Sequence, residues 1–208
     1  MYVRMTRIQT PPDRIDAGIA NFNEKVVPAA RQAKGYQGAA LLVNRETGDG
    51  VGVTYWDSLE ALAASEQVGV SVRTQSAEAT AARVIDVDRA ELVIVDRAEP
   101  PRVPGYTRSI SGFVPLENLD KLISMTKEKV VPELRRHKGY RSALLAVNRM
   151  TGRTLFSSNW ATAQDRDATF DAMTPLREEA AKLTMAGFQV ETFEAAAVEI
   201  LQPSVSRN

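Results

Sequence analysis

Apolar residues near the start of the chain recur at the spacing of one face of an α-helix. Successive members are four, three and four residues apart, which predicts an amphipathic helix. These residues are Ile15, Ile19, Phe22 and Val26, and the same positions 104 residues later hold Leu119, Ile123, Thr126 and Val130. Pro11 and Pro12 favour a helix start just before the first set. Pro28 and Pro132 fall late in the two helices and predict a kink or an end there.

The full pattern predicts the order strand, helix, strand, strand, helix, strand in each half. Ser58 and Thr162 are expected to cap the second helix of each half. Besides the first helices, the elements predicted in the first half are Tyr2–Gln9, Gly38–Asn44, Val51–Trp56, Leu59–Ala82 and Val84–Val95. Those predicted in the second half are Ser142–Asn148, Thr154–Trp160, Ala163–Ala186 and Phe188–Leu201. This βαββαβ order is typical of ferredoxin-like α+β folds, with two helices on one face of an antiparallel sheet.

The second half of the 208-residue chain repeats the first half at a shift of 104 residues. Across Glu24–Gly48, 16 of 25 positions are identical to those of Glu128–Gly152. The chain is therefore predicted to hold two copies of a domain of ~100 residues, and a site in one copy should have an intact or decayed counterpart in the other. We place the first copy at residues 1–98, a proline-rich linker at 99–105, the second copy at 106–203 and a disordered tail at 204–208. The two sheets are expected to pack as an intramolecular pseudo-dimer.

The composition excludes several classes of function. With 26 basic and 26 acidic residues the net charge is zero, which argues against a general nucleic-acid-binding protein. The chain has no Cys and one His, His137, so a thiolate or multi-His metal site is excluded and no metal is expected. No window holds the ~18 apolar residues of a membrane span, and the first ten residues lack the apolar core of a signal peptide. We therefore expect a cytoplasmic protein without a membrane or nucleic-acid partner.

Four features that occur in both repeats carry a resemblance to a known family. They are the late-helix proline (Pro28, Pro132), a Lys-Gly-Tyr step into the second strand (Lys34–Tyr36, Lys138–Tyr140), an Asn-Arg-x-Thr-Gly hairpin (Asn44–Gly48, Asn148–Gly152) and a Trp that ends the third strand (Trp56, Trp160). With them the chain resembles the dimeric α+β barrel superfamily, and within it the antibiotic biosynthesis monooxygenase-like (ABM-like) group. Members usually form the barrel from two chains, so the resemblance implies that the two repeats supply one barrel. Whether such pseudo-dimers associate into a further homodimer stays open.

The resemblance also implies where a small-molecule ligand would bind. In the family a pocket lies within each subunit, between the sheet and its helices, and the Trp of the third strand often lines it. Trp56 and Trp160 match that position. Haem-degrading members add an Asn on the first strand and a His on the second helix, and this chain has neither. The resemblance therefore implies no cofactor, neither metal, flavin nor haem bound through His.

Each candidate pocket residue also has a structural interpretation. Trp56 and Trp160 either line a pocket or close the core beneath a helix. Arg4 and Arg108, on the first strand of each repeat, either bind an anionic substrate from a buried position or lie exposed at an edge. Phe22, on the apolar face of the first helix, completes the candidate ligand pocket. No catalytic residue is assigned.

Other polar candidates are interpreted as structural. The rings of Tyr36 and Tyr140 are expected to pack where helix meets strand, with their hydroxyls in solvent. Asn159 needs a hydrogen-bond partner if it is buried. His137 is expected to be solvated at a helix end. Two matched carboxylate pairs lie off the apolar stripe and are expected on a solvated face: Asp16 with Asp120, and Glu24 with Glu128.

The leading functional hypothesis is a monooxygenase-like enzyme acting on a small aromatic or polyketide-like molecule, which itself supplies the electrons to oxygen. The alternatives are a non-catalytic small-molecule-binding or structural module and, third, haem binding through a residue such as Tyr. An enzyme predicts a pocket on the order of several hundred Å³ beside each Trp. Divergence between the neighbours of Trp56 and those of Trp160 predicts one live site and one decayed site.

Overall fold

The computed structural model describes residues 1–200, so the predicted strand end at Leu201 and the predicted tail lie outside the described residues. The elements of the first half are β1 (Tyr2–Gln9), α1 (Ile15–Asn21), α2 (Val27–Arg31), β2 (Tyr36–Val43), β3 (Asp49–Trp56), α3 (Leu59–Ala64), α4 (Glu66–Thr80) and β4 (Arg83–Arg97). Those of the second half are β5 (Gly105–Phe113), α5 (Leu119–Met125), α6 (Val131–Leu134), β6 (Tyr140–Val147), β7 (Arg153–Trp160), α7 (Ala163–Ala172), α8 (Thr174–Ala181) and β8 (Gln189–Ile200). The predicted order of strands and helices is confirmed in both halves.

A π-helical turn joins the two segments of the first helix in each repeat. Phe22–Val26 forms this turn in the first repeat, and Thr126–Val130 forms it in the second. In the π-helical turn of the first repeat, the backbone N–H of Val27 donates to the carbonyl of Phe22, five residues earlier in the chain. Pro28 follows, and the ordinary helical ladder cannot continue through it because proline has no N–H and crowds the carbonyl four residues before it. The predicted irregularity at this proline is confirmed.

The prediction of one continuous second helix in each repeat is wrong. α3 and α4 are separated at Ser65, whose hydroxyl donates to the carbonyl of Leu62 at 2.7 Å and so competes with the helical ladder. α7 and α8 are separated at Met173, because Pro175 in the first turn of α8 has no N–H with which to continue α7. α8 also stops at Ala181, five residues before the predicted end.

The two predicted N-caps of the second helices are confirmed. The Ser58 hydroxyl accepts a hydrogen bond from the backbone N–H of Ala61 at 3.1 Å. The Thr162 hydroxyl accepts one from the backbone N–H of Asp165 at 3.0 Å. Each cap satisfies a donor that the first helical turn leaves unpaired, which fixes where the helix begins after the third strand.

The strands pair in antiparallel fashion, and each half completes its sheet with a strand from the other half. β1 pairs with β3 and β3 with β2, while β5 pairs with β7 and β7 with β6. β2 then pairs with β8, and β6 pairs with β4. Hydrogen bonding orders the strands β1-β3-β2-β8-β5-β7-β6-β4 in a closed barrel. The predicted α+β fold, with two ferredoxin-like βαββαβ repeats in one pseudo-dimeric barrel, is confirmed.

The chain accordingly divides into two compact units that differ from the two sequence repeats. Among the described residues, the first unit is Met1–Arg89 together with Glu194–Ile200, and the second unit is Ala90–Phe193. The last strand of each repeat therefore ends in the unit that is built mainly from the other repeat. These strands, β4 and β8, are called exchanged below, although in the barrel order each also neighbours the first strand of its own repeat.

Two tyrosines hold these exchanged strands. The Tyr36 hydroxyl donates to Glu199 on β8 at 3.1 Å, and Arg31 pairs with the same carboxylate. In the second unit the equivalent residues are Tyr140, Asp96 on β4 and Arg135, with a hydroxyl-to-carboxylate distance of 2.6 Å. Burial, followed by the neighbouring carboxylate, raises the pKa of Tyr36. The expectation that these hydroxyls reach solvent is wrong, because the exchanged strand brings a carboxylate to each of them.

The Asn-Arg-x-Thr-Gly hairpin has a structural role in both units. The Asn44 side-chain oxygen accepts hydrogen bonds from two backbone N–H groups of the turn, at 3.0 and 3.1 Å. Arg45 pairs with Asp16 on α1 at 2.9 Å and with Glu194 on β8 at 3.2 Å. The second unit repeats the arrangement with Arg149, Asp120 and Glu91. The exposed carboxylates Asp16 and Asp120 thus belong to surface ion pairs.

Candidate functional site

A cavity of about 130 Å³ lies in the first unit, between the sheet and its helices. β1, β2 and β3 contribute one side of it, and α1, the π-helical turn and α4 contribute the other. Its apolar walls include Ile15, Phe22, Val26, Leu41 and Val72. Polar side chains on the lining include Arg4, Thr6, Thr54, Ser65 and Arg73. An apolar hollow with a few polar groups is the usual character of a small-molecule site.

Small residues keep this cavity open. Gly18, Ala30, Gly52 and Gly69 all line it. A Cβ atom added at Gly18 would meet no atom within 4 Å, and one added at Gly52 would first meet the ring of Phe22 at 3.7 Å. The space at Gly18 is therefore empty, and a Cβ at Gly52 would make an ordinary van der Waals contact with Phe22 without a clash.

The equivalent cavity of the second unit is about 70 Å³. The residues at the four equivalent positions are all large, and all of them line it: Leu122, Leu134, Phe156 and Met173. Leu122, Leu134 and Met173 are buried members of the hydrophobic core, and Phe156 packs against that core. Neither cavity reaches the several hundred Å³ expected beside each Trp, and the second is further filled by these side chains.

The two tryptophans are equally buried, but only Trp56 lines the cavity of its unit. Trp56 packs edge-on against Tyr36 with a centroid distance of 5.8 Å, and its indole N–H donates to Thr54 at 3.0 Å. Trp160 makes the same contacts with Tyr140 and Ser158. It belongs to the core cluster of the second unit and is not among the described residues that line the smaller cavity. The core interpretation therefore fits both residues, and the pocket interpretation fits Trp56.

Arg4 is buried beside Trp56, with 4% of the residue exposed. One terminal nitrogen of its guanidinium donates to the carbonyl of Leu62 at 2.8 Å and to the Ser65 hydroxyl at 3.0 Å, and it lies 2.8 Å from the Glu66 carboxylate. Its Nε atom is buried and has no hydrogen-bond partner. Burial lowers the pKa of Arg4, and the charge of Glu66 opposes this shift. Of the two interpretations left open for Arg4, a buried position and an exposed edge, the structure shows the buried one.

Glu66 is shared among three arginines. Arg73 and Arg89 each approach its carboxylate to 2.7 Å, in addition to Arg4. Burial raises the pKa of Glu66, but hydrogen bonds from Arg89 and Arg73 and the charge of Arg4 outweigh it and lower that pKa to about 2. Glu66 is therefore a carboxylate at neutral pH. The sequence alone did not identify this cluster, because Arg4 and Glu66 lie on different elements.

Arg108 occupies the equivalent buried position of the second unit with different partners. Its guanidinium donates to the Thr169 hydroxyl at 3.2 Å and lies 3.4 Å from the Asp167 carboxylate. Phe170 stands where the first repeat has Glu66, and Arg108 lies over its ring at 4.9 Å. Burial lowers the pKa of Arg108, and Asp167 opposes this shift. The two first-strand arginines are thus alike in burial and different in electrostatic setting.

The remaining candidates lie outside both cavities. The Asn159 side chain accepts from Thr107 at 2.6 Å and donates to Ser142 at 3.1 Å, so its predicted partners are confirmed. The imidazole of His137 is half-buried and lies 3.6 Å from Glu133, rather than being fully solvated. Within residues 1–200, His, Asp and Glu side chains form no group of three that could hold a metal ion. No helix in that range is both long enough and apolar enough to cross a membrane.

Comparisons with known proteins agree with the fold described above. The sequence profile of the antibiotic biosynthesis monooxygenase family, ABM, matches residues 1–75. The uncharacterized protein Rv2557 of Mycobacterium tuberculosis is 30% identical over 179 residues, which are 86% of this chain and 76% of that protein. An anthrone oxidase-like protein of known structure aligns with a TM-score of 0.69 at 11% identity, over 100% of this chain and 96% of its own. A monooxygenase-like protein from Listeria innocua aligns with a TM-score of 0.55 at 10% identity, over 93% and 94% of the two chains.

Proposed function

We propose that the first unit of this protein, which belongs to the same family as Rv2557 within the ABM-like group, binds and oxidises a compact aromatic molecule. The observation that carries this proposal is the first cavity, of about 130 Å³ and mostly apolar. An apolar protein cavity of about 150 Å³ accepts benzene, so the first cavity has room for about one aromatic ring. The second unit, with its filled cavity, is proposed as a structural partner.

The proposed reaction is a monooxygenation in which the substrate supplies the electrons. One oxygen atom of O2 becomes a carbonyl oxygen on a substrate CH2 group, and the other leaves as water with the two hydrogens of that group. The protein's part is to hold the ring against Trp56 and Phe22 and to exclude water from it. This step uses only O2 and the substrate as reactants.

A non-catalytic binding module is the second candidate, and two observations favour it. One is the size of the first cavity, about 130 Å³, which is below the volume expected of an enzyme pocket. The other is the shortage of carboxylates on its lining. Among the described residues that line the first cavity, the one carboxylate is Asp49, and it accepts a hydrogen bond from the Thr47 hydroxyl at 2.7 Å. A general base must reach the proton that it removes. With no second carboxylate on the lining, oxidation in this cavity requires a substrate that ionises readily by itself.

Filling the first cavity tests the proposal. Gly18→Leu and Gly52→Phe introduce side chains into its open space, as the second repeat does with Leu122 and Phe156. Binding of single-ring aromatic compounds, measured by calorimetry, is expected to fall by roughly tenfold or more in each variant because the ring loses its buried apolar contacts. Ala20→Leu, an exposed change on the same helix, is the matched control and should bind as the original chain does.

Oxygen uptake separates the two candidate functions. A panel of readily ionised phenols and enols is added to the protein, and O2 consumption is followed with an electrode. Uptake that Gly18→Leu and Gly52→Phe abolish supports the enzyme. Binding without uptake across the panel supports the non-catalytic module, and binding that both variants leave unchanged contradicts the cavity assignment altogether.

A further inference from the structure

The wall of the first cavity carries more positive than negative charge. Arg4 and Arg73 both line the cavity, and both depend on the carboxylate of Glu66, which Arg89 also approaches. Among the described residues, the lining itself holds the two guanidinium groups of Arg4 and Arg73 against one carboxylate, that of Asp49. The excess positive charge lies beside a largely apolar space, where electrostatic interactions are stronger than in water.

Arg4 also keeps an unused hydrogen-bond donor. The guanidinium of an arginine carries five N–H donors, and the Nε of Arg4 is buried without a partner. The Nε of Arg108 in the second unit is likewise buried without a partner. A buried donor left unpaired costs free energy, and the first cavity, the larger of the two, has more room for a partner that completes it. Water does not remove the charge imbalance, whereas an anionic oxygen supplies both an acceptor and a negative charge.

Gly69 on α4 has no side chain, and this leaves room for the guanidinium groups of Arg4 and Arg73. A Cβ atom at this position would lie 2.9 Å from a terminal nitrogen of Arg4 and 3.0 Å from one of Arg73. A larger residue would force both guanidinium groups to move. In the second unit Met173 stands at this position, and the Glu66 equivalent is Phe170, whose ring lies 3.9 Å from Arg177 and 4.9 Å from Arg108. The first unit alone therefore combines an open cavity with a shared carboxylate.

We infer that the ligand of the first cavity is an aromatic anion whose charged oxygen, a carboxylate or a phenolate, binds Arg4 and Arg73. The inference rests on the proposed function, because it names the class of molecule that the same cavity takes. If the charged oxygen is a phenolate, binding as the anion also removes the need for a protein base, since the proton whose loss makes the ring electron-rich is already gone. Glu66 pairs with the same two guanidinium groups and therefore competes with the ligand for them.

Matched neutral and charged probes test this inference. Benzoate and benzamide have the same shape, and only benzoate is charged at neutral pH. Calorimetry on the full chain is expected to show benzoate binding roughly tenfold or more tighter than benzamide, as a charge-assisted hydrogen bond would give. Equal binding of the two probes, or tighter binding of benzamide, overturns the inference and leaves the proposed function standing. Binding of neither probe counts against the proposed function itself.

A coloured phenol distinguishes the two sources of the charge. The ionised form of 4-nitrophenol absorbs at a longer wavelength than the neutral form, so binding as the phenolate increases that band at constant pH. An increase with the phenol alone identifies a phenolate ligand, tight binding of benzoate alone identifies a carboxylate, and both together support the shared chemistry. A decrease of the phenolate band on binding, together with no preference for benzoate, contradicts an anionic ligand.

Three variants assign the effect to the named residues. Arg4→Met is expected to weaken benzoate binding by roughly tenfold and to leave benzamide binding unchanged. Arg108→Met, the equivalent change in the second unit, is the matched control and should change neither. Glu66→Gln removes the competing carboxylate and should strengthen benzoate binding, which keeps the test decisive if Arg4→Met fails to fold. Weaker benzoate binding in Glu66→Gln, with the fold intact, would overturn the assignment.

Discussion

The two units place the same Trp, Tyr and Arg at equivalent positions, and yet they differ in the space around them. The first has a cavity of about 130 Å³ and the second one of about 70 Å³. Motif residues are alike in both because they cap helices, turn hairpins and hold the exchanged strands, which each unit needs in order to fold. The volume of the cavity depends on four other positions. The first repeat has glycine or alanine at each of them, and the second repeat has leucine, phenylalanine or methionine at the equivalent positions. A shared framework can thus carry one open site and one filled site.

The largest effect expected from this comparison is on stability. Leu134→Ala gives the second unit the residue that the first unit has at Ala30, and Leu134 is 3% exposed. Removing a buried leucine side chain usually costs about 2–5 kcal/mol, because the contacts are lost and a cavity remains. Urea unfolding should show a loss of this size. The reverse change, Ala30→Leu, enters a space that is already open and should cost much less.

Similar losses in Leu134→Ala and Ala30→Leu would break the comparison, since they would mean that the first cavity is as tightly packed as the second. Because the chain has two units, unfolding should be followed by two probes, Trp fluorescence and circular dichroism. Coincident transitions allow one free energy to be assigned to each variant.

A smaller effect is expected from the charge at Glu66. Its pKa is lowered from 4.5 to about 2, so its contribution to stability is present above its ordinary pKa and is lost as the pH falls toward about 2. Glu66→Gln should therefore flatten the loss of stability between about pH 4.5 and pH 2, measured by urea unfolding at a series of pH values. Glu178→Gln, at an exposed carboxylate on α8, serves as the control. An acid-unfolding profile identical to that of the original chain would argue against the three-arginine cluster.

The smallest effect concerns the tyrosines that hold the exchanged strands. Tyr36→Phe and Tyr140→Phe each remove one hydroxyl-to-carboxylate hydrogen bond, and each leaves its carboxylate paired with an arginine. A loss of about 0.5–1.5 kcal/mol is expected from each in urea unfolding. Tyr140→Phe should lose more than Tyr36→Phe, because its bond is shorter, at 2.6 against 3.1 Å. The opposite order would show that the two exchanged strands are held differently.

Local signals in the sequence were sufficient for most of the fold. The 3.6-residue spacing from Ile15 to Val26 fixed the face of the first helix, and Ser58 and Thr162 fixed the starts of the second helices. The breaks in those second helices were missed. At Ser65 the break depends on a hydroxyl bonded to the neighbouring turn and to Arg4, a partner 61 residues away. At Met173 it depends on Pro175, a signal that was available in the sequence.

Part of the candidate site was also visible in the sequence. Trp56, Phe22 and Arg4 were among the residues predicted to line a ligand pocket, and all three line the first cavity. That a ligand binds there is still a prediction. Arg108 lines the second cavity, whereas Trp160 lies in the core. The four small-to-large differences between the repeats could have been found by comparing the halves position by position. Their effect on the cavity could not be found in this way, since differences in side-chain volume open a cavity only where the positions lie together in space.

The sequence by itself determined the repeat, the order of strands and helices, and the local turns and caps, because each depends on residues a few positions apart. Only the tertiary structure decided that β4 and β8 are exchanged between the units, since strand pairing joins residues far apart in the chain. It also decided that Arg4 meets Glu66 and Arg73 beside an open space, whereas Arg108 meets Phe170. Burial and charge sharing are properties of neighbours in space, and a linear sequence does not say which residues those neighbours are.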